Sequence, residues 1–177
     1  MRQTIVALVE NKPGVLNRVA SLFRRRVFNI ESLAVGHTER EGISRMTIVM
    51  ECDDTSAERV VAYLYKLVNV IQVENLANDP MVGRDLAMIK VSVTPENRTE
   101  ILQLVDVFRA RIVDVANDSL IIEITGTEDK IDSFADVLRP FGIIEMGRTG
   151  TVAMARGSEP LYKYPYNGNG ALGKSAI

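Results

Sequence analysis

Apolar and polar positions alternate with two different periods along the chain, and their order repeats. An apolar strand-like run, Thr4 to Val9, leads through Glu10-Asn11-Lys12-Pro13-Gly14 into a stretch where Val15, Leu16, Val19, Leu22 and Phe23 fall on one helical face. Asn17, Arg18, Ser21 and Arg24 occupy the opposite face, the pattern of a helix lying on a sheet. Asn29 to Val35 and Ile43 to Met50 read as strands, joined by the polar segment Gly36 to Gly42, which suits a hairpin loop. Helical spacing returns at Ala57, Val60, Val61, Leu64 and Leu67, and Val70 to Leu76 supplies a fourth strand.

Asn78-Asp79-Pro80 and Gly83 interrupt the pattern, which then restarts. Leu86 to Val93 reads as a strand, and Pro95 opens a helix that turns Ile101, Leu102, Val105 and Phe108 inward. Ile112 to Val115 and Leu120 to Thr125 are strands around a turn at 116–119. A helix carrying Ile131, Phe134, Ala135 and Leu138 on one face follows. A closing strand lies within Ile143 to Ala155, bent or broken at Gly147 and Gly150. The expected fold is α+β: two ferredoxin-like βαββαβ domains, residues 1–78 and 79–157, each an antiparallel four-stranded sheet with two helices on one face. From Ser158 to Ile177 Gly, Asn and Pro replace the periodic pattern. A mobile tail is expected there, with Tyr162, Tyr164 and Tyr166 available for docking.

A sheet covered on one side leaves a face and its edges to be closed. Met46, Ile48 and Met50 alternate with Arg45, Thr47 and Val49, so neither face of that strand is strongly polar. Pairing with a second copy would close it, and a homodimer is expected, with the two Asn11–Gly14 turns near its interface.

Composition narrows the function classes. The 177 residues carry 46% hydrophobic side chains and a formal charge of −2, enough for real cores and without the basic face that nucleic acid requires. No apolar run reaches the roughly 18 residues of a membrane span, and the N-terminus lacks a signal-peptide pattern, so the cytoplasm is the expected location. One cysteine, Cys52, and one histidine, His37, leave no Cys/His cluster for a metal. His37 reads as a solvated loop residue and Cys52 as a small apolar filler. Arg24-Arg25-Arg26 reads as cations serving a helix C-terminus and solvent. No phosphate loop or nucleophile–base pair is evident. The strand Ile43 to Met50 carries no aromatic on which RNA bases could stack, and the loop pattern of a small acylphosphatase-like hydrolase is missing.

The junction at Glu10 to Arg18 stands out. A helix beginning at Pro13 or Gly14 leaves backbone N–H groups open, and Gly14 lets a guest approach them, which makes a cradle for a small carboxylate. The same residues also suit an ordinary loop with good helix-start chemistry.

Ile5 to Arg18, followed by Asn29-Ile30-Glu31-Ser32-Leu33-Ala34-Val35-Gly36, resembles the ACT regulatory domain of the small subunit of acetolactate synthase (acetohydroxyacid synthase). The likeness continues through Ser44 to Val49, Lys66 to Val70, Arg84 to Val91, Ile112 to Val115 and Gly147-Arg148-Thr149-Gly150, covering residues 2 to 157. It implies a non-catalytic subunit that activates a large thiamine-diphosphate enzyme in branched-chain amino acid synthesis and makes it sensitive to valine. Thiamine diphosphate, Mg²⁺ and FAD would belong to that catalytic partner, and this chain would need no cofactor. The implied effector site is Asn11, Gly14, Val15, Leu16 and Asn29, with Ile30 of a neighbouring protomer lining the side-chain pocket. Thr94-Pro95-Glu96-Asn97 occupies the corresponding turn of the second domain without a glycine, so that domain is expected to leave valine alone and to contact the catalytic subunit. A free-standing ACT-type amino-acid sensor with another client is the alternative reading.

Overall fold

The β-branched and apolar alternation of each repeat folds as a ferredoxin-like unit in a computed structural model that describes residues 1–161. Elements run β1 (Arg2–Glu10), α1 (Val15–Arg25), β2 (Ser32–His37), β3 (Ile43–Glu51), α2 (Asp54–Leu64) and β4 (Val70–Asn75). The second series is β5 (Met81–Ser92), α3 (Arg98–Phe108), β6 (Arg111–Val115), β7 (Ser119–Gly126), α4 (Glu128–Leu138), a 3₁₀ turn (Arg139–Phe141), β8 (Ile143–Arg148) and β9 (Val152–Ala155). The sheets have the order β2-β3-β1-β4 and β6-β7-β5-β8, so each repeat places its first strand in the middle and its second at an edge.

Burial explains the order. In β1 every residue from Gln3 to Val9 is buried, as a central strand requires. Ile5, Ala7 and Val9 join Met46, Ile48 and Met50 under Val15, Val19, Leu22 and Phe23 of α1 and Val60 and Leu64 of α2. In the second unit Ala87, Ile89 and Val91 meet Ile101, Val105, Ile131, Phe134 and Leu138, with Phe108 and Phe134 rings 4.9 Å apart.

The described residues divide into two compact units, 1–82 together with 153–161, and 83–152. This division groups residues 79–82 and 153–157 with the first unit, where the pattern of the sequence groups them with the second. Residues 149–151 interrupt the closing strand at Gly150, whereas Gly147, expected to bend or break it, stays inside β8 opposite Met88; β9 then pairs with β5 as a fifth strand, and Ala153 packs with Val6 and Leu76 on the side of the first sheet away from its helices. Arg45 donates to the Ala153 carbonyl at 2.5 Å and the Arg156 N–H to that of Pro80 at 2.8 Å. Part of the face assigned to a second copy is thus covered from within the chain. Of the expected tail, Ser158–Leu161 is described and Leu161 packs toward that same cluster; the three tyrosines lie outside the described residues.

Three local expectations are corrected. Pro13 does not open α1: Lys12-Pro13-Gly14-Val15 is a turn closed by the Val15 N–H on the Lys12 carbonyl at 3.3 Å, with Gly14 at φ 83° and ψ −6°, the glycine position of a type II turn. Pro95 likewise sits in the turn before α3, which begins at Arg98. The second strand starts at Ser32 rather than Asn29 and runs on through Gly36 and His37, so the hairpin loop is only Thr38 to Gly42.

Candidate effector site

The C-terminal end of β1, the turn after it and the first residues of α1 form the candidate site. Arg18 is the first residue whose N–H enters the helical ladder, bonding to the Gly14 carbonyl at 3.0 Å. Val15 N–H is engaged in the turn. Among the described residues, the N–H groups of Gly14, Leu16 and Asn17 have no backbone acceptor. No side chain caps the helix and its first turn contains no carboxylate. The positive end of the helix dipole is therefore not offset by the protein, which favours an anion there. A Cβ built on Gly14 would meet nothing within 4 Å, so the space over the turn is open.

The other helices are closed off. Asp53 caps α2 by accepting from the Ser56 N–H at 2.7 Å, and Glu128 and Asp129 stand in the first turn of α4. Ahead of α3, the Asn97 side chain accepts from the Thr94 N–H at 2.8 Å, and Glu100 lies in its first turn. Glu96 adds a carboxylate whose pKa the Thr94 hydroxyl holds below the usual value, keeping negative charge where an anion would have to sit.

A network locks the open turn in place. Glu10 and Asn69 are joined by the Glu10 N–H to the Asn69 carbonyl at 2.9 Å and the Asn69 amide to Glu10 Oε2 at 2.5 Å. Arg18 donates to Asn69 Oδ1 at 2.5 Å, and Lys12 Nζ lies 3.2 Å from Glu10. The Asn69 hydrogen bond lowers the pKa of Glu10; burial opposes it less strongly, and Lys12 adds smaller lowering contributions. Asn11 is anchored by its N–H to the Gly42 carbonyl at 2.8 Å and is exposed, with Nδ2 3.4 Å from His37 Nδ1, an approach that suits donation to the Nε2–H tautomer. His37 thus stands at the end of the edge strand beside the turn. Glu10, Arg18, Asn69 and His37 escaped sequence reasoning because their convergence depends on β1 pairing with both β3 and β4, a non-local fact.

Of the expected residues, Asn11, Gly14, Val15 and Leu16 are brought together and Asn29 and Ile30 are not. Ser32 registers with Val49 and Val49 with Thr4, so Asn29 and Ile30 lie by the start of β1, roughly 25–30 Å along the sheet from the turn. Asn29 is exposed there and Ile30 packs against the first core. Cys52 also packs there, and burial, chiefly, raises its thiol pKa. Among the described residues no group of three His, Cys, Asp or Glu is placed to hold a metal, and no helix is long and apolar enough to cross a membrane.

Comparison with known proteins agrees on both halves. A family model described as AHAS small subunit-like ACT domain matches residues 5–72, and one described as small subunit of acetolactate synthase matches residues 84–157. The chain is 57% identical over 159 residues to the probable acetolactate synthase small subunit of Archaeoglobus fulgidus, covering 90% of this chain and 99% of that one. It is 43% identical over 160 residues to the acetolactate synthase small subunit of Bacillus subtilis, covering 90% and 93%. The crystal structure of the acetolactate synthase small subunit from Thermotoga maritima superposes with a TM-score of 0.84 at 42% identity over 90% of this chain and 99% of that one. The chain therefore belongs to the acetolactate synthase small-subunit family, with an ACT domain as its first half.

Proposed function

We propose that this chain is a regulatory subunit that activates a thiamine-diphosphate catalytic chain and carries valine feedback to it, with the effector held at the start of α1 in a homodimer. The observation that carries the reading is the uncapped, carboxylate-free N-terminus of α1 behind an open Gly14, in a chain of this family. A valine carboxylate would accept from the N–H groups of Gly14, Leu16 and Asn17, and Val15 N–H could join only by leaving Lys12. The Asn11 side chain would meet the ammonium.

Symmetry supplies what one chain lacks. Edge strand β2 runs parallel to β1, so antiparallel pairing of two β2 edges brings the partner's Asn29 and Ile30 beside the Asn11–Leu16 turn. The side-chain pocket would form between protomers, and valine would act by favouring the dimer arrangement that supports catalysis less well. The second domain would leave valine alone and contact the catalytic chain. Thiamine diphosphate, Mg²⁺ and FAD would reside on that chain, whose reaction joins a two-carbon unit from pyruvate to an acceptor.

The test is reconstitution with the large catalytic chain from the same source. The reading expects acetolactate formation to rise with added chain until saturation, and L-valine to lower it only in the complex. Equal rates with and without the chain would refute it, and would return attention to an amino-acid sensor with another client.

A further inference from the structure

At the far end of α1 the structure gathers positive charge that no carboxylate among the described residues pairs with. Arg25, Arg26, Tyr63 and Lys66 line a groove of about 290 Å³ whose floor is Leu22 and Leu67. The Arg26 guanidinium lies 4.1 Å from the centre of the Tyr63 ring and Lys66 Nζ lies 5.3 Å from it, so both cations are held over one aromatic rather than ranging through solvent. Among the described residues none of Arg24, Arg25, Arg26 or Lys66 has a carboxylate within 4.0 Å. The helix dipole accounts for part of a cation here, not for a set that converges from the end of α1 and from the turn after α2.

The adjacent residue is strained. Phe28 N–H bonds to the Phe23 carbonyl at 3.1 Å and Val27 N–H to that of Arg24 at 3.2 Å, the pattern that ends a helix with a left-handed residue. Glycine normally stands there. Here it is Val27, at φ 60° and 90% exposed, a β-branched side chain in a conformation that costs stability and buries nothing within the chain.

We infer that this groove, with Val27 beside it, docks an acidic segment of the catalytic chain whose carboxylates reach Arg25, Arg26 and Lys66 and whose apolar edge covers Val27. The inference rests on the regulatory-subunit reading. Charge complementarity selects an acidic partner, and the exposed valine selects a protein surface over a small anion. The two ends of the 11-residue helix α1 would then carry effector and partner.

The test compares wild type, Arg25→Glu/Arg26→Glu/Lys66→Glu and Val27→Gly, with binding to the catalytic chain measured by sedimentation and L-valine titrated into each chain alone. The charge-reversed variant is expected to bind the catalytic chain at least about tenfold more weakly, with a flatter salt dependence, while titrating valine as wild type does. Val27→Gly is expected to melt no lower than wild type yet to bind the catalytic chain more weakly. Wild-type affinity in the charge-reversed variant with its valine titration intact would overturn the docking groove alone. Absence of any complex with the wild-type chain would overturn the regulatory reading and the groove with it.

Discussion

Asn69 shows how much one side chain outside the expected set contributes to the site. It ties the loop before β4 to the end of β1 and to the second turn of α1, so the Pro13–Gly14 turn is held from both sides. Asn69→Ala removes two side-chain hydrogen bonds to charged groups and is expected to lower stability by about 1–3 kcal/mol, read by urea unfolding. Glu10 has a lowered pKa in the folded chain, so its contribution is full above the ordinary carboxylate pKa and is lost as pH falls through the lowered value. The gap between wild type and Asn69→Ala should therefore narrow between about pH 6 and about pH 3. A constant gap would mean that the ionised carboxylate is not what Asn69 stabilises. At this scale the sequence was most informative at Gly14, whose left-handed φ only glycine adopts without strain, and least at His37, which read as loop because Gly36 precedes it.

Among elements, the proposed site depends most on the edge strand β2. Thr38 N–H bonds to the Ile43 carbonyl, and alternation along the antiparallel register then turns the N–H and C=O groups of Leu33, Val35 and His37 outward. Val35→Pro removes one outward donor without taking a bond from β3, a placement edge strands tolerate. If the β2 edges pair as proposed, sedimentation should show wild type as a dimer and the variant as a folded monomer, and L-valine affinity should fall at least about tenfold because the partner's Asn29 and Ile30 are lost together. A dimeric Val35→Pro variant with normal valine affinity would exclude β2 pairing. The element order was legible because period 2 and period 3.6 alternate cleanly in both repeats. Helix starts were not, since proline suits the second position of a turn as well as the first position of a helix, and at Pro13 and Pro95 the turn prevails.

At the scale of the whole chain, repetition and asymmetry divide the work. Both units share one topology, yet only the first opens a helix N-terminus to solvent without a cap or a carboxylate. The return of Ala153 onto the first sheet was illegible in the pattern, because four short apolar residues after Gly150 fit either unit until Val6 and Leu76 are seen to need cover. The proposed regulation stands or falls on whether α1 begins in an effector site. Calorimetric titration of L-valine into the chain, beside Gly14→Ala and Gly14→Asp, tests it most directly. Both variants place a Cβ on the same left-handed turn, where that atom meets nothing within 4 Å, and Asp tolerates this conformation at least as well as Ala, so a greater loss in Gly14→Asp reports the added carboxylate rather than backbone strain. Saturable binding to wild type, weakened in Gly14→Ala and abolished in Gly14→Asp, is the expected result; valine binding equally to all three would contradict the account.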